Sequence, residues 1–151
     1  MQLLIQSIIT GILLGGLYAA IGVGMSIIFG IMGLTNIAHG NLMILSAFFV
    51  LIFTTAMGVN LISSILIAIV LMVIIGFLFQ KFLVNAVIDK GDTPALLVTF
   101  GLSIIIQNIL EIIFGADARS IRSNFATVNV VDTEYFSISG AYLTNFIVAI
   151  L

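Results

Sequence analysis

The sequence predicts an all-α integral membrane protein, a polytopic bundle of transmembrane helices with a broken or re-entrant element near residues 33–41. Three observations predict it. Hydrophobic residues fill 62% of the 151 positions and charged residues 7%, against about 25% charged in an ordinary soluble domain. Residues 1–80 contain no Asp, Glu, Lys or Arg, so no water-facing surface can be built from them. The apolar residues fall in long runs, and the first run gives way at GLTNIAHGN, Gly33 to Asn41, where two glycines and polar side chains gather around the single histidine.

A spanning helix needs about 20 mostly apolar residues, and the runs are read against that length. The first covers Leu3–Gly33, with its span placed at 3–32. Wholly helical, it would exceed about 40 Å at 1.5 Å per residue, so it must tilt, bend or break. It lacks the basic n-region and small-residue cleavage site of a signal peptide and is read as a retained span. Small residues recur every four positions at Ser7, Gly11, Gly15 and Ala19, with a second row at Gly22, Ser26 and Gly30. Such rows let helix backbones approach closely in lipid, where the hydrophobic effect does not drive association. They mark a packed bundle rather than an isolated anchor.

The second run, residues 42–58, sits at the short end of the spanning range. Val59-Asn60 makes a tight turn, with Asn60 as N-cap of the third run, residues 61–84. Lys81 lies near its end and can snorkel to the interface. Gly91 then breaks the chain, Thr93 can cap, and Pro94 suits the first helical position of a fourth span at 94–114. Residues 115–140 are polar, and FATVNVV within them mixes β-branched and polar residues in the manner of a short strand. The last apolar run, 141–151, is too short to cross a bilayer of about 30 Å. The chain therefore reads as the N-terminal part of a longer protein.

Several functions are excluded. Net charge is −2, from four basic and six acidic residues, which leaves no basic patch for nucleic acid. There is no cysteine and only one histidine, hence no disulfide, no thiolate or multi-histidine metal site and no cysteine nucleophile. No nucleophile elbow, phosphate-binding loop or carboxylate pair within one span appears. The expectation is a protein that is not an enzyme and carries no metal or cofactor. Loop charge does not orient the chain, because Lys81 and Lys90 on one side balance Arg119 and Arg122 on the other.

Two polar features carry the functional argument. Backbone that is not helical at membrane depth must be buried in protein or line a wet cavity. If GLTNIAHGN is helical, Asn36 and His39 share a face, and Gly40-Asn41 ends one helix and starts the next. A broken helix would turn amides and side chains toward a substrate path; an ordinary interfacial loop fits the same residues. In the fourth run Thr99, Ser103, Gln107 and Glu111 lie four apart, with Asn108 beside them. They form a slanting stripe that drifts by about 40° per step and should face the bundle interior. Interhelical hydrogen bonding and a substrate role both account for it.

These stretches resemble a known family. GILLGGLYAAIGVGMSIIFGIMGLTNIAHGNLMILSAF is similar to the opening of the branched-chain amino acid ABC transporter permeases of the LivH/LivM type, through Gly11, Gly15, Tyr18, Ala19, Gly24, Gly33, Asn36, Ala38, His39 and Gly40. LLVTFGLSIIIQNILEIIFGADARSI is similar to a second family segment through Thr99, Gly101, Ser103, Gln107 and Asn108. The resemblance reaches most of residues 8–125. It implies the N-terminal part of one transmembrane permease domain, in a multi-pass subunit of a bacterial or archaeal inner membrane. It implies an ATP-driven importer of branched-chain, hydrophobic amino acids. The implied partners are membrane lipid, a second permease subunit, two ATP-binding subunits that hydrolyse ATP, and an extracytoplasmic amino-acid-binding protein. Asn36, His39, Gly40, Thr99, Ser103, Gln107 and Asn108 become candidates for the substrate pathway, and Ser7, Gly11, Gly15, Ala19, Gly22 and Gly30 for helix packing. Residues 81–93 are then cytoplasmic and 115–140 an external loop. Related permeases carry urea, short amides and sugars, and a passive channel or structural subunit is the alternative of a different class. Asn41 departs from the acidic residue usual after Ala-His-Gly in the family, the loop after the third span has fewer arginines, and no ATPase-coupling segment is present in these residues.

Overall fold

The computed structural model describes residues 2–33, 35–115, 117, 129–132 and 137–150. Among them the order is α1 (Gln2–Met32), α2 (His39–Thr55), α3 (Leu61–Phe79), a π-helical turn (Gln80–Val84), a 3-10 turn (Ile88–Lys90), α4 (Asp92–Phe114), a two-stranded hairpin of β1 (Asn129–Asp132) and β2 (Ser137–Ser139), and α5 (Gly140–Ile150). Helix dominates, as the composition requires, since a helix satisfies its own backbone groups in lipid. The lengths and apolar composition of α1, α3 with its extension to Lys90, and α4 suit them to cross a membrane. Most of their large aliphatic side chains are exposed in this chain, a surface that only lipid or further helices can cover. The contacts divide into two compact units, Met1–Ile27 with Arg122–Leu151, and Ile28–Ile121.

In the second unit, α1 runs unbroken to Met32, where Gly33 takes φ 65° and donates its N–H to Phe29 O at 2.8 Å. This left-handed residue is the usual glycine stop of a helix. α1 thus ends at Met32 and helix resumes at His39, with residues 35–38 between them not helical. Asn36 lies outside helical backbone and does not share a helix face with His39, and Gly40-Asn41 sit inside the first turn of α2 rather than between two helices. Gly33 already supplies the reversal in φ that Gly40 would otherwise be needed for.

A short connection with Gly58 at φ 66° links α2 to α3, and the two pack against each other. Asn60 caps α3, its side chain accepting from Ser63 N at 2.8 Å. Ser64 and Ala68, four apart and 0% and 3% exposed, give α3 a small-residue face of the kind that brings helices together in lipid. Below α3, Phe79, Val84 and Ala95 bury one another, with Val87, Ile88 and Leu102 against them. This apolar knot ties the π turn to the start of α4. Lys81 is exposed there, its Nζ 5.6 and 5.7 Å from the ring centres of Phe77 and Phe82. α4 begins at Asp92, after Gly91 at φ 101° and with no side-chain cap. Thr93 therefore does not cap it and Pro94 is its third residue, tolerated because first-turn amides have no intrahelical acceptor to lose.

In the first unit, β1 and β2 pair antiparallel with an irregularity between Asn129 and Val131. Residues 125–128 of FATVNVV lie outside the described residues, as does much of the segment 115–140. Gln6 holds the hairpin to the N-terminal end of α1. Its Nε2 donates to Ser137 O and its Oε1 accepts from Ser137 N, both at 2.9 Å. Further along, Gly16 meets Phe146 of α5. A Cβ on Gly16 would lie 2.6 Å from the Phe146 ring and 3.4 Å from its Cα. The close approach is thus made by a glycine outside both small-residue rows. Ser7, Gly11, Gly15, Ala19, Gly22 and Gly30 are all exposed in this chain, and nothing lies within 4 Å of a side chain built at Gly11, Gly15, Gly22 or Gly30.

Gly16→Leu should lower the unfolding midpoint of the chain in detergent by the equivalent of about 1–3 kcal/mol, the usual cost of overpacking. Gly22→Ala should leave it unchanged or raise it, because alanine is the better helix former. Thermal unfolding followed by circular dichroism measures both.

Candidate functional site

The site grows from the need to satisfy a non-helical stretch of backbone in an apolar surrounding. Three amides after the break at Gly33, those of Ile37, Ala38 and His39, find acceptors. Ile37 N donates to Thr99 Oγ1 of α4 at 3.3 Å. Ala38 N donates to Asn36 Oδ1 at 3.0 Å. His39 N donates to Asn36 O at 3.2 Å. Asn36 therefore folds the turn on itself, as asparagine does in Asx turns, and Thr99 holds it from outside. The Thr99 hydroxyl is 4% exposed as a residue and also donates to Leu96 O at 3.0 Å, so it uses both of its roles. Ala38 is fully buried in the turn.

One turn further on, Asn41 Nδ2 donates to Ser103 O at 2.8 Å and approaches Ser103 Oγ at 2.6 Å. Beyond that, Phe48 stacks on Phe114 with centroids 4.3 Å apart and planes tilted 34°. The three contacts pair residue 37 with 99, 41 with 103 and 48 with 114. Both numbers rise together, so α2 and α4 run in the same direction. Asn41, which departs from the acidic residue usual at that place in the family, hydrogen-bonds α2 to α4. Its amide supplies the donor that a carboxylate would lack opposite the Ser103 carbonyl.

The stripe on α4 divides. Thr99 is buried and Ser103 half-buried at the joint, whereas Gln107, Asn108 and Glu111 are exposed. Within this chain these three lie off the contact with α2. Ile106 and Leu110 take the buried positions instead. The cause is the drift of about 40° per four-residue step, which carries the lower half of the stripe off the α2 contact. Asn108 turns its Nδ2 back to Ile104 O at 2.8 Å. Gly40 lies in the first turn of α2, exposed, with open space around it.

The opposite face of α2 holds a feature that a search for polar residues in the sequence misses. A cavity of about 470 Å³ lies between α2 and α3, lined by His39, Leu42, Met43, Ser46 and Val50 from one and by Ile65, Ala68, Ile69, Met72 and Val73 from the other. Among the described residues, His39 Nε2 is the one buried side-chain nitrogen or oxygen with no hydrogen-bond partner. Asn36, Thr99 and Ser103 thus come together at the joint, while His39 lines the cavity. The alternation of apolar residues with one histidine and one serine along α2 is the only trace of this cavity in the sequence.

Thr99→Val should strand the Ile37 amide and cost about 1–3 kcal/mol of stability, whereas Thr99→Ser should cost well under that. A double-mutant cycle on Asn41→Ala and Ser103→Ala should return a coupling of roughly 0.6–1.7 kcal/mol, the range for interhelical hydrogen bonds in membranes. Reversible unfolding in mixed micelles measures both.

Comparison with known proteins bears on this geometry. Residues 7–151 match the family described as the permease component of the branched-chain amino acid transport system. The chain is 27% identical over 144 residues to the high-affinity branched-chain amino acid transport system permease protein LivH of Escherichia coli K12, covering 89% of this chain and 47% of that protein. It is 26% identical, with the same coverage, to the LivH proteins of Salmonella typhimurium and Salmonella typhi. The chain therefore spans about half the length of the curated relatives it matches. No solved structure gives a significant match. With its apolar spanning helices and a match across nearly all its residues, the chain belongs to the branched-chain amino acid transport permease family, as a multi-pass protein of the inner membrane.

Proposed function

We propose that this chain forms part of the membrane-spanning subunit of an ATP-driven importer for branched-chain, hydrophobic amino acids. The observation that carries the proposal is the family match over residues 7–151. The subunit itself is not an enzyme in this reading. It pairs with a second permease subunit, receives substrate from an extracytoplasmic binding protein, and is driven by two ATP-binding subunits on the cytoplasmic side. Residues 81–93 face the cytoplasm, and the segment 115–140 with its hairpin faces outward, where the binding protein docks.

The geometry supports this reading in two ways. A helix interrupted at a side-chain-supported joint can pivot without exposing backbone to lipid, which alternating access demands. The joint carries no charged side chain, which suits passage of a hydrophobic substrate. Asn36, Thr99 and Ser103 shape the joint, His39 and Gly40 open α2 beside it, and Gln107 and Asn108 continue the polar path along the exposed flank of α4. The small-residue rows on α1 are the face that packs on other helices of the transporter.

Restoring the intact gene to cells that lack it should restore uptake of radiolabelled leucine, blocked by excess unlabelled leucine and not by urea. Competition by urea alone would assign the subunit to a related permease. Uptake without the ATP-binding subunits would make it a passive channel. Asn36→Ala should cut uptake severalfold at unchanged membrane abundance.

A further inference from the structure

We infer that the cavity between α2 and α3 is a binding site for the substrate, holding the aliphatic side chain of the amino acid while His39 Nε2 hydrogen-bonds its α-carboxylate. The inference rests on the importer reading above and says where in this chain the substrate sits.

The cavity has the size and character of a small-molecule site. At about 470 Å³ it lies within the roughly 300–1,000 Å³ of such pockets, which are mostly apolar with a few placed polar groups. Leu42, Met43, Ile69 and Met72 line it without a charge. The two methionines are flexible enough to fit leucine, isoleucine and valine alike. Ser46 also lines it, but its hydroxyl already donates to Met43 O at 2.7 Å. That leaves His39 Nε2, buried and without a partner. A polar atom in that state costs free energy in the empty protein, and native structures keep few of them without a use.

The position of His39 decides which end of the substrate it meets. It is the first residue of α2. The first-turn amides of a helix have no intrahelical acceptors, and the helix dipole there favours a negative group. A carboxylate at this end therefore gains from the imidazole N–H and from the dipole, while an ammonium gains from neither. The aliphatic chain then points along α2 toward Ser46 and Val50. The cavity lies on the face of α2 opposite the joint with α4, so a pivot at residues 33–38 moves the wall that carries His39 and Met43.

The test uses the intact transporter in proteoliposomes, with leucine as the probe. Ile69→Trp fills the cavity from an exposed position on α3 and should raise the KM for leucine about tenfold or more while affecting valine less, since pocket fit separates substrates by about 10–200-fold per methylene. His39→Leu should raise the KM for leucine by a similar factor, and His39→Gln, which keeps a donor, should recover part of the loss. The chain contains no cysteine, so Ser46→Cys places a single thiol in the cavity of this segment. Its labelling by a methanethiosulfonate reagent should slow in the presence of leucine and not of lysine. Wild-type uptake with unchanged leucine-to-valine preference in the Ile69 and His39 variants, or labelling of Ser46→Cys that leucine does not slow, would overturn this assignment and leave the importer reading standing. A wild-type transporter that takes up no leucine would overturn both.

Discussion

Everything in the second unit depends on one constraint. A stretch of backbone that leaves the helix in an apolar surrounding must find partners for its amides inside the protein, because lipid offers none. Gly33 stops α1 and residues 35–38 are not helical. The amides of Ala38 and His39 are taken by Asn36 from within the turn, and that of Ile37 by Thr99 from α4. The bond from Ile37 to Thr99 is the one that reaches across helices, so it fixes where the break sits against α4. The Asn41–Ser103 contact and the stacking of Phe48 on Phe114 then follow along two helices running in the same direction.

α2 emerges as the element that joins the parts. One face carries Asn41 and Phe48, seven residues apart, and meets α4. The other carries Met43, Ser46 and Val50 at helical spacing and meets α3 across the cavity. Because α2 starts at the break, its N-terminal turn serves both faces, with the turn residues held toward α4 and His39 on the cavity wall. Polar chemistry is spent on the α4 side to hold structure and is nearly absent on the α3 side, where an aliphatic ligand would sit.

The fold class was legible because composition and run length leave an unsupported soluble fold no surface to show water. The interruption was legible because Gly33, Asn36 and His39 have no place in a featureless span. Its location within the stretch was not, since either glycine could take the left-handed turn, and only the chain's geometry chooses Gly33. Thr99 and Ser103 could be picked from their four-residue spacing, but the same spacing suggested that Gln107 and Glu111 belong with them. A straight helix rotates those two away, and how far a stripe stays in contact depends on the crossing of two helices, which no spacing encodes. The glycine rows on α1 hid the glycine that matters inside this chain, Gly16, because a close contact depends on the large residue opposite it, Phe146, more than a hundred positions away. The cavity was hard to see for the opposite reason. Apart from His39 and Ser46 it is built from apolar residues, which read in sequence as any other span.

The most direct measurement of the central claim is hydrogen exchange at the Ile37 and Ala38 amides of the wild-type chain in lipid nanodiscs. If the break is closed as described, both exchange far more slowly than the same residues in an unstructured peptide, and Thr99→Val releases Ile37 while Ala38, held by Asn36, stays slow. Exchange of Ile37 at the free-peptide rate in the wild type would contradict the account, because the break would then be open to water and not held by α4.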